Sequence, residues 1–272
     1  MQSRKSWVDL RGFAAVDDAA DQAPLIRALE VGKASPAMRE VGAAVTKQLQ
    51  LAHACAVLDL GCGLGSDALA MAAELPAGGR VVGVDASHTM VTEATARAAG
   101  SGAPVLFTVG SALAVPFPDQ TFDRCRAQAL LQHIPNPPGV IDEVYRILRP
   151  GGRVAAFEFD LGTTVLDHPN RSTTRTILDF VTDSALQGWV GRQLPRLYRE
   201  AGFVDITAVP YPVPNDYDLF MFTMRRPLAQ LVQDRVLDAR SVVRWLRELE
   251  ELHNAGHYLG GSVGYLLTAT KN

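Results

Sequence analysis

The sequence predicts an α/β protein built on a mostly parallel sheet. Short apolar runs alternate with stretches whose apolar residues recur every three or four positions. That succession, strand then helix then strand, is the pattern of right-handed crossovers between parallel strands. The chain has 272 residues, of which 47% are hydrophobic, ample for a sizeable buried core.

Residues 1–35 read as a helical or irregular lead-in. A helix is expected over 36–51, where Met38, Val41, Val45 and Leu49 share one face. Ser35 suits its cap and Pro36 its first turn. The apolar run 56–60 predicts a first strand, followed by glycines and a helix near 67–75. A second strand at 80–85 leads to a helix near 88–99. Strands at 105–109 and 122–127 follow. The helix expected at 138–148 carries Val140, Ile141, Val144, Ile147 and Leu148 on one face. Its acids, Asp142 and Glu143, come early and Arg146 and Arg149 late, as the helix dipole favours. Pro150-Gly151-Gly152 ends it, and 153–159 reads as a fifth strand. Residues 161–190 have no clean period and are rich in Thr and Asp. Leu194, Leu197, Tyr198 and Ala201 mark a helix that Gly202 stops. A strand at 205–213, helical stretches near 218–233 and 241–253, and a final strand at 262–270 complete the chain. With no internal repeat or low-complexity linker, one α/β core with helical insertions fits better than two domains.

Composition narrows the function. There are 26 Lys+Arg against 29 Asp+Glu, a net charge of −3, and only 20% charged residues. A disordered chain would be more polar, and a dedicated nucleic-acid binder would be basic. Cys55, Cys62 and Cys125 are too few for a disulfide framework and form no CxxC pair, so reduced thiols and a cytoplasmic location are expected. No apolar stretch follows Arg4 and Lys5 to make a secretory signal, and no run of 18 apolar residues suggests a membrane span.

The strongest local signal is Val57-Leu58-Asp59-Leu60-Gly61-Cys62-Gly63-Leu64-Gly65-Ser66-Asp67, a buried strand entering three alternating glycines and then a helix. Glycines there let the backbone turn tightly and approach a nucleotide-type ligand. The second strand ends in Asp85, near the distance of about 20 residues at which an acid grips ribose hydroxyls in such folds. Three details argue against a dinucleotide. Ser66 replaces the last glycine of GxGxxG. Asp67 sits in the first helical turn, where a pyrophosphate requires positive potential. Asp59 adds a charge just before the loop. These residues fit a ligand with a ribose and a positive group but no phosphates, and S-adenosylmethionine has that constitution.

The stretch 57–159 resembles the class I S-adenosylmethionine-dependent methyltransferases, in particular the small-molecule group that includes the ubiquinone and menaquinone methyltransferases. Four segments carry the resemblance: the glycine loop; Val81 to Ser87 with Met90; Gly110-Ser111-Ala112 with Val115-Pro116-Phe117 and Phe122-Asp123; and His133-Ile134-Pro135 with Glu143 and Arg146 to Gly152. The resemblance implies a Rossmann-like sheet of seven strands, the last antiparallel, with helical lid insertions. It implies S-adenosylmethionine as cofactor, with S-adenosylhomocysteine as product. Gly61 and Gly63 would pack against the cofactor, with Asp59 near its methionine amine. Asp85 would bind the ribose hydroxyls, Ala86 and Met90 would border the adenine, and Ser111 and Ala112 would face its edge. Serine stands at 111 where the family often has Asp. Gln128 and Leu130 would lie near the methyl group or the substrate. Residues 1–50 would form a helical N-terminal lid on a cofactor-binding domain, 51–272, with substrate-cap insertions near 161–190 and 215–259.

Methyl transfer needs orientation above all, and a base only where the acceptor must lose a proton. His133, after the fourth strand, reads either as that base or as a residue that caps the turn or packs under the cofactor. His168 reads as part of a lid or as a surface histidine. Glu158 and Asp160 share a face at the end of the fifth strand, to bind an amine or to anchor the lid. His253 and His257 are four apart, but Gly256 between them and the lack of an acidic third ligand argue against a metal. The arginines from Arg225 to Arg247 alternate with acids and read as a solvated face. Trp7, Trp189, Tyr211, Phe220 and Trp245 are packing residues or pocket walls. The expected partner is a small, moderately hydrophobic acceptor, with no nucleic acid and no membrane span, on a monomer or homodimer. Two other readings stand beside this one: a protein of the same fold that binds the cofactor for a non-methyl reaction or a binding role, and an NAD-dependent oxidoreductase, which Ser66, Asp67 and Asp59 disfavour. A nucleic-acid methyltransferase is disfavoured because Asn136-Pro137-Pro138-Gly139 lacks the aromatic that would stack on a base.

Overall fold

A computed structural model describes residues 10–272, so Arg4, Lys5 and Trp7 lie outside the described residues. Seven strands, β1 (Ala56–Leu60), β2 (Arg80–Asp85), β3 (Val105–Val109), β4 (Phe122–Gln128), β5 (Leu148–Leu166), β6 (Phe203–Pro214) and β7 (Gly260–Lys271), form one sheet in the order β3-β2-β1-β4-β5-β7-β6. The pairs from β3 to β5 are parallel, and β7 runs antiparallel between β5 and β6. The last strand is the antiparallel one, as expected. The chain builds outward from β1 to β3, then returns to place β4 on the other side of β1. The carboxyl ends of β1 and β4 therefore flank a topological switch point, where α/β sheets open a ligand crevice.

Among the described residues nine α-helices dress the sheet: α1 (Ala23–Ala34), α2 (Pro36–Gln48), α3 (Ser66–Glu74), α4 (His88–Ala98), α5 (Pro137–Ile147), α6 (Arg171–Ser184), α7 (Val190–Glu200), α8 (Tyr217–Gln233) and α9 (Ala239–Asn254). Alternation along β1 sends Leu58 and Leu60 to one face, where they join Ile141, Val144 and Ile147 of α5 and Leu194 of α7. Val57 goes to the other face, against Val41 and Val45 of α2 and Met71 of α3. Each such aliphatic side chain, fully buried, contributes about 1.5–3 kcal/mol. Helices α6, α8 and α9 make a separate cluster around Ile177, Phe220, Leu231, Trp245 and Leu249. The outer edge strand β6 carries Pro210, Pro212 and Pro214, which remove backbone donors where another chain would otherwise pair.

The expected elements recur with three differences. Strand β5 begins at Leu148 rather than 153 and runs on to Leu166. Its register against β4 shifts between Leu148 and Arg153, so the Pro-Gly-Gly segment is a bulge within an extended run rather than a loop before it. Helix α6 fills much of the segment without a period. Two of its buried positions are Thr174 and Thr182, whose hydroxyls donate to the carbonyls of Asn170 (2.8 Å) and Leu178 (2.9 Å), so polar residues occupy the core face and mask the apolar repeat. Ser35 stands at the cap position of α2 but its side chain makes no capping bond. Among the described residues no helix is long and apolar enough to cross a membrane.

Candidate functional site

The glycine loop folds as its sequence requires. Gly61, Gly63 and Gly65 all have positive φ (+72°, +49° and +76°), a region that L side chains rarely adopt. A Cβ on Gly61 would come within 2.9 Å of Leu130, and one on Gly65 within 2.5 Å of the Phe107 ring. The missing side chain at Gly61 thus lets Leu130, in the turn after β4, pack against the loop, while Gly65 lets α3 seat tightly against β3.

Asp85, at the end of β2, reaches this loop. Its carboxylate accepts from the backbone N–H of Gly63 (2.9 Å) and of Ser87 (3.0 Å). Burial pushes its pKa up, opposed by those hydrogen bonds. Gly61, Gly63 and Asp85 therefore form one unit at the carboxyl ends of β1 and β2. Ala86 is exposed just beyond it. Met90, on α4, is 1% exposed beneath Val16 and Leu25 of the N-terminal segment. Ser111 is exposed after β3, its hydroxyl accepting from Leu113 N–H (3.1 Å), and Ala112 is buried with Val84 and Leu60.

Asp59 and Gln128 meet through a residue that sequence reading passed over. Arg126, beside Asp59 in the β1–β4 register, is 2% exposed. It donates to Asp59 Oδ1 (3.0 Å), to Asp67 Oδ2 (2.8 Å) and to Gln128 Oε1. Lys33 of α1 pairs with the same Asp67 oxygen. Burial raises the Asp59 pKa, with Arg126 opposing it. For Asp67 burial acts the same way, but Arg126 and Lys33 outweigh it and hold the carboxyl below its ordinary value. Asp59 Oδ2 and Arg126 Nε are both buried without a hydrogen-bond partner. The available signal was an arginine in the middle of a central strand, facing the same layer as the acid beside it.

A second overlooked contact comes from the lead-in. Asp17 accepts from Ser87 Oγ (2.7 Å), His88 N–H (2.7 Å) and Thr89 N–H (3.2 Å), capping the amino end of α4. Burial raises its pKa, but these hydrogen bonds together outweigh it and hold the carboxyl at about 2. No local signal links Asp17 to a helix some 70 residues later.

His133 closes the 3-10 turn Leu131–His133 after β4, its ring 5.4 Å from that of Phe13. Burial lowers its pKa to about 4, so the imidazole is neutral at pH 7. Glu158, 0% exposed on β5, accepts from the backbone N–H groups of Leu130 (2.8 Å), Leu131 (2.7 Å) and Gln132 (3.4 Å), and so fixes that turn. Burial raises its pKa to about 7. Asp160 pairs instead with Arg192 of α7. His168 is buried rather than on the surface: Nδ1 accepts from Asn170 N–H (2.9 Å) and Nε2 lies 3.0 Å from the Trp245 carbonyl. His253 stacks on Tyr217 with centroids 4.1 Å apart.

The arrangement thus unites a glycine cradle, a ribose-distance acid and a balanced cluster of charges at the switch point of a parallel sheet. Residues 57–152 match the family model described as a methyltransferase domain. The chain is 34% identical over 216 residues to an uncharacterized 37.1 kDa protein in transposon Tn4556 of Streptomyces fradiae, covering 78% of this chain and 61% of that protein. It is 38% identical over 104 residues to a demethylmenaquinone methyltransferase of Symbiobacterium thermophilum, covering 38% and 41%. The chain thus spans about half the length of these relatives. A phosphoethanolamine N-methyltransferase of Haemonchus contortus, solved with phosphomonomethylethanolamine and S-adenosylhomocysteine, shares the fold at a TM-score of 0.61 and 20% identity, over 95% of this chain and 60% of that one. Residues 57–152 thus carry the sequence pattern of a methyltransferase domain, within a fold shared with solved methyltransferases.

Proposed function

We propose that the protein is an S-adenosylmethionine-dependent methyltransferase acting on a small, fairly hydrophobic molecule. The single observation that carries this reading is the crevice at the ends of β1 and β2. There Asp85 and the Gly61–Gly63 cradle stand beside the buried Asp59 and the half-buried Asp67, whose charges occupy Arg126 and Lys33 and leave no cation in the cluster to receive a pyrophosphate. The unpartnered Asp59 Oδ2 suits a cofactor with an ammonium group, and Asp85 at the end of β2 suits one with a ribose. When bound, that cofactor supplies a methyl group on a sulfonium.

The chain's own residues then divide the work. Gly61 and Gly63 let the backbone approach the cofactor, and Asp85 accepts from the ribose hydroxyls with the lone pairs left beside its two backbone bonds. Asp59 faces the amino group, and Gln128 the methyl end. Ala86, Met90, Ser111 and Ala112 surround the adenine. Phe13, Val16 and Leu25, within the lid 1–50, cover the site and exclude water. His133 is neutral at pH 7, and its Nε2, 3.1 Å from the Gln132 side-chain nitrogen, would give up that contact to accept a proton from an acceptor oxygen or nitrogen. The substrate caps near 161–190 and 215–259 offer exposed apolar side chains, Val165, Leu186, Trp189 and Leu259, which support a hydrophobic acceptor. The chain works as a monomer or homodimer in the cytoplasm.

Asp85→Ala tests the reading. Affinity for S-adenosylmethionine falls at least about tenfold, some 1.4 kcal/mol, while circular dichroism stays that of the folded protein. An unchanged affinity with an intact fold would remove Asp85 from the site.

A further inference from the structure

The proposed cofactor changes charge during the reaction. The donor carries a sulfonium, and once the methyl leaves, the sulfur keeps the bonding pair and becomes a neutral thioether. The donor therefore has one more positive charge than the product. A site whose own charge can vary by one unit will tell the two apart.

The buried cluster at the ends of β1 and β4 has that property. It contains two carboxylates, Asp59 and Asp67, and two cations, Arg126 and Lys33. Arg126 belongs to the sheet, its side chain 3% exposed and tied to both carboxylates. Lys33 differs in two respects. Its side chain is 35% exposed, and it comes from α1, part of the N-terminal segment that rests on Leu64 and Met90 through Leu25 and its neighbours. Arg126 alone leaves the cluster one negative charge in excess; Lys33 brings it to balance.

Two further observations mark the cluster as more than a structural ion pair. Asp59 Oδ2 and Arg126 Nε, an acceptor and a donor, lie buried without partners, an arrangement costly to folding unless a ligand completes it. Helix α2 crosses over the cluster at Gly42. A Cβ there would stand 3.4 Å from Asp67 Oδ1, 3.9 Å from Gln128 Oε1 and 4.0 Å from Arg126, so any larger side chain would reach into it.

We propose that Lys33 is a counter-cation, carried by the N-terminal segment, that sets the preference of the site between the cationic methyl donor and its neutral-sulfur product. This rests on the function proposed above. With Lys33 in place the cluster is balanced and gains little from the extra charge of the donor. Without it, the excess negative charge favours the donor over the product. Lys33 is a specificity-determining residue that acts through the field of the cluster and touches no reacting atom.

The test is calorimetric titration of the wild-type protein, Lys33→Met and Lys33→Arg with S-adenosylmethionine and with S-adenosylhomocysteine, at low ionic strength. In Lys33→Met the ratio of product Kd to donor Kd rises about tenfold over wild type, the scale of a unit-charge interaction at roughly 10 Å in an effective dielectric near 20. Lys33→Arg keeps the wild-type ratio. If Lys33 served only to clamp α1, both affinities would fall by the same factor and the ratio would stay put. An unchanged or reduced ratio in Lys33→Met overturns the proposal while leaving the cofactor assignment intact. A wild-type protein that binds neither ligand overturns the assignment itself, and the proposal with it.

Discussion

Arg126→Met replaces a buried guanidinium with a neutral side chain of similar length. Arg126 bridges Asp59 at 3.0 Å and Asp67 at 2.8 Å, and the side chains of Arg126 and Asp59 are 3% and 1% exposed. Removing one partner from such a pair leaves buried carboxylates uncompensated, at a cost of about 3–5 kcal/mol. Lys33 can still neutralise Asp67, so the uncompensated group is Asp59. For a chain of this size, about 4 kcal/mol lowers the melting temperature by roughly 8–16 °C. The sign with pH follows from the same group. With Arg126 gone, burial and the Asp67 charge act on Asp59 against Lys33 only, and its folded pKa rises further above the unfolded value. The variant is then least stable at high pH and regains stability as pH falls and Asp59 takes up a proton. Asp59→Asn in the Arg126→Met background removes the stranded charge and recovers much of the loss. Scanning calorimetry of the two single variants and the double variant, at pH 5 and pH 8, measures both terms. A loss below about 1 kcal/mol, or one that the second substitution leaves untouched, would refute the view that these charges are mutually required.

Two other perturbations test the surroundings. The raised pKa of Glu158, about 7 against 4.5 unfolded, makes the folded state hold its proton more tightly. Its contribution is therefore full below about pH 4.5 and declines as pH rises toward 7, by about 3 kcal/mol. The stability difference between wild type and Glu158→Gln should shrink accordingly from pH 5 to pH 8 in urea titrations, and a pH-independent difference would contradict it. Asp17→Ala removes the bonds that Asp17 accepts from Ser87, His88 and Thr89, worth about 1 kcal/mol at this exposed site, while Ser87 Oγ still caps Met90 N–H. Hydrogen exchange should then speed up in residues 10–20 and at the start of α4 while β1 and β4 keep their protection. Equal acceleration throughout would mean that the N-terminal segment does not dock as a separate unit.

Strands β1 and β2 were legible because each is a nearly continuous apolar run between turn formers, buried on both faces with no alternation to misread. β1, β2 and β3 have the same bounds in the structure as in the sequence pattern. Helix α6 was not legible, since Thr174 and Thr182 satisfy their hydroxyls within the helix and so serve as core residues. The glycine loop and Asp85 announced themselves because their spacing is local. Lys33, Asp17 and Arg126 did not, because their partners lie 34 to about 70 positions away and only the folded chain brings them together. Glu158 was noticed at the end of β5, but its three backbone partners sit on a turn that no periodicity marks.

Titration calorimetry of the purified protein with S-adenosylmethionine, S-adenosylhomocysteine and NAD(H) tests the proposed function most directly. Asp59, Asp67 and Ser66 at the glycine loop predict micromolar binding of the two sulfur ligands and none of the dinucleotides. Dinucleotide binding, or no binding of S-adenosylmethionine, would contradict the assignment of this crevice.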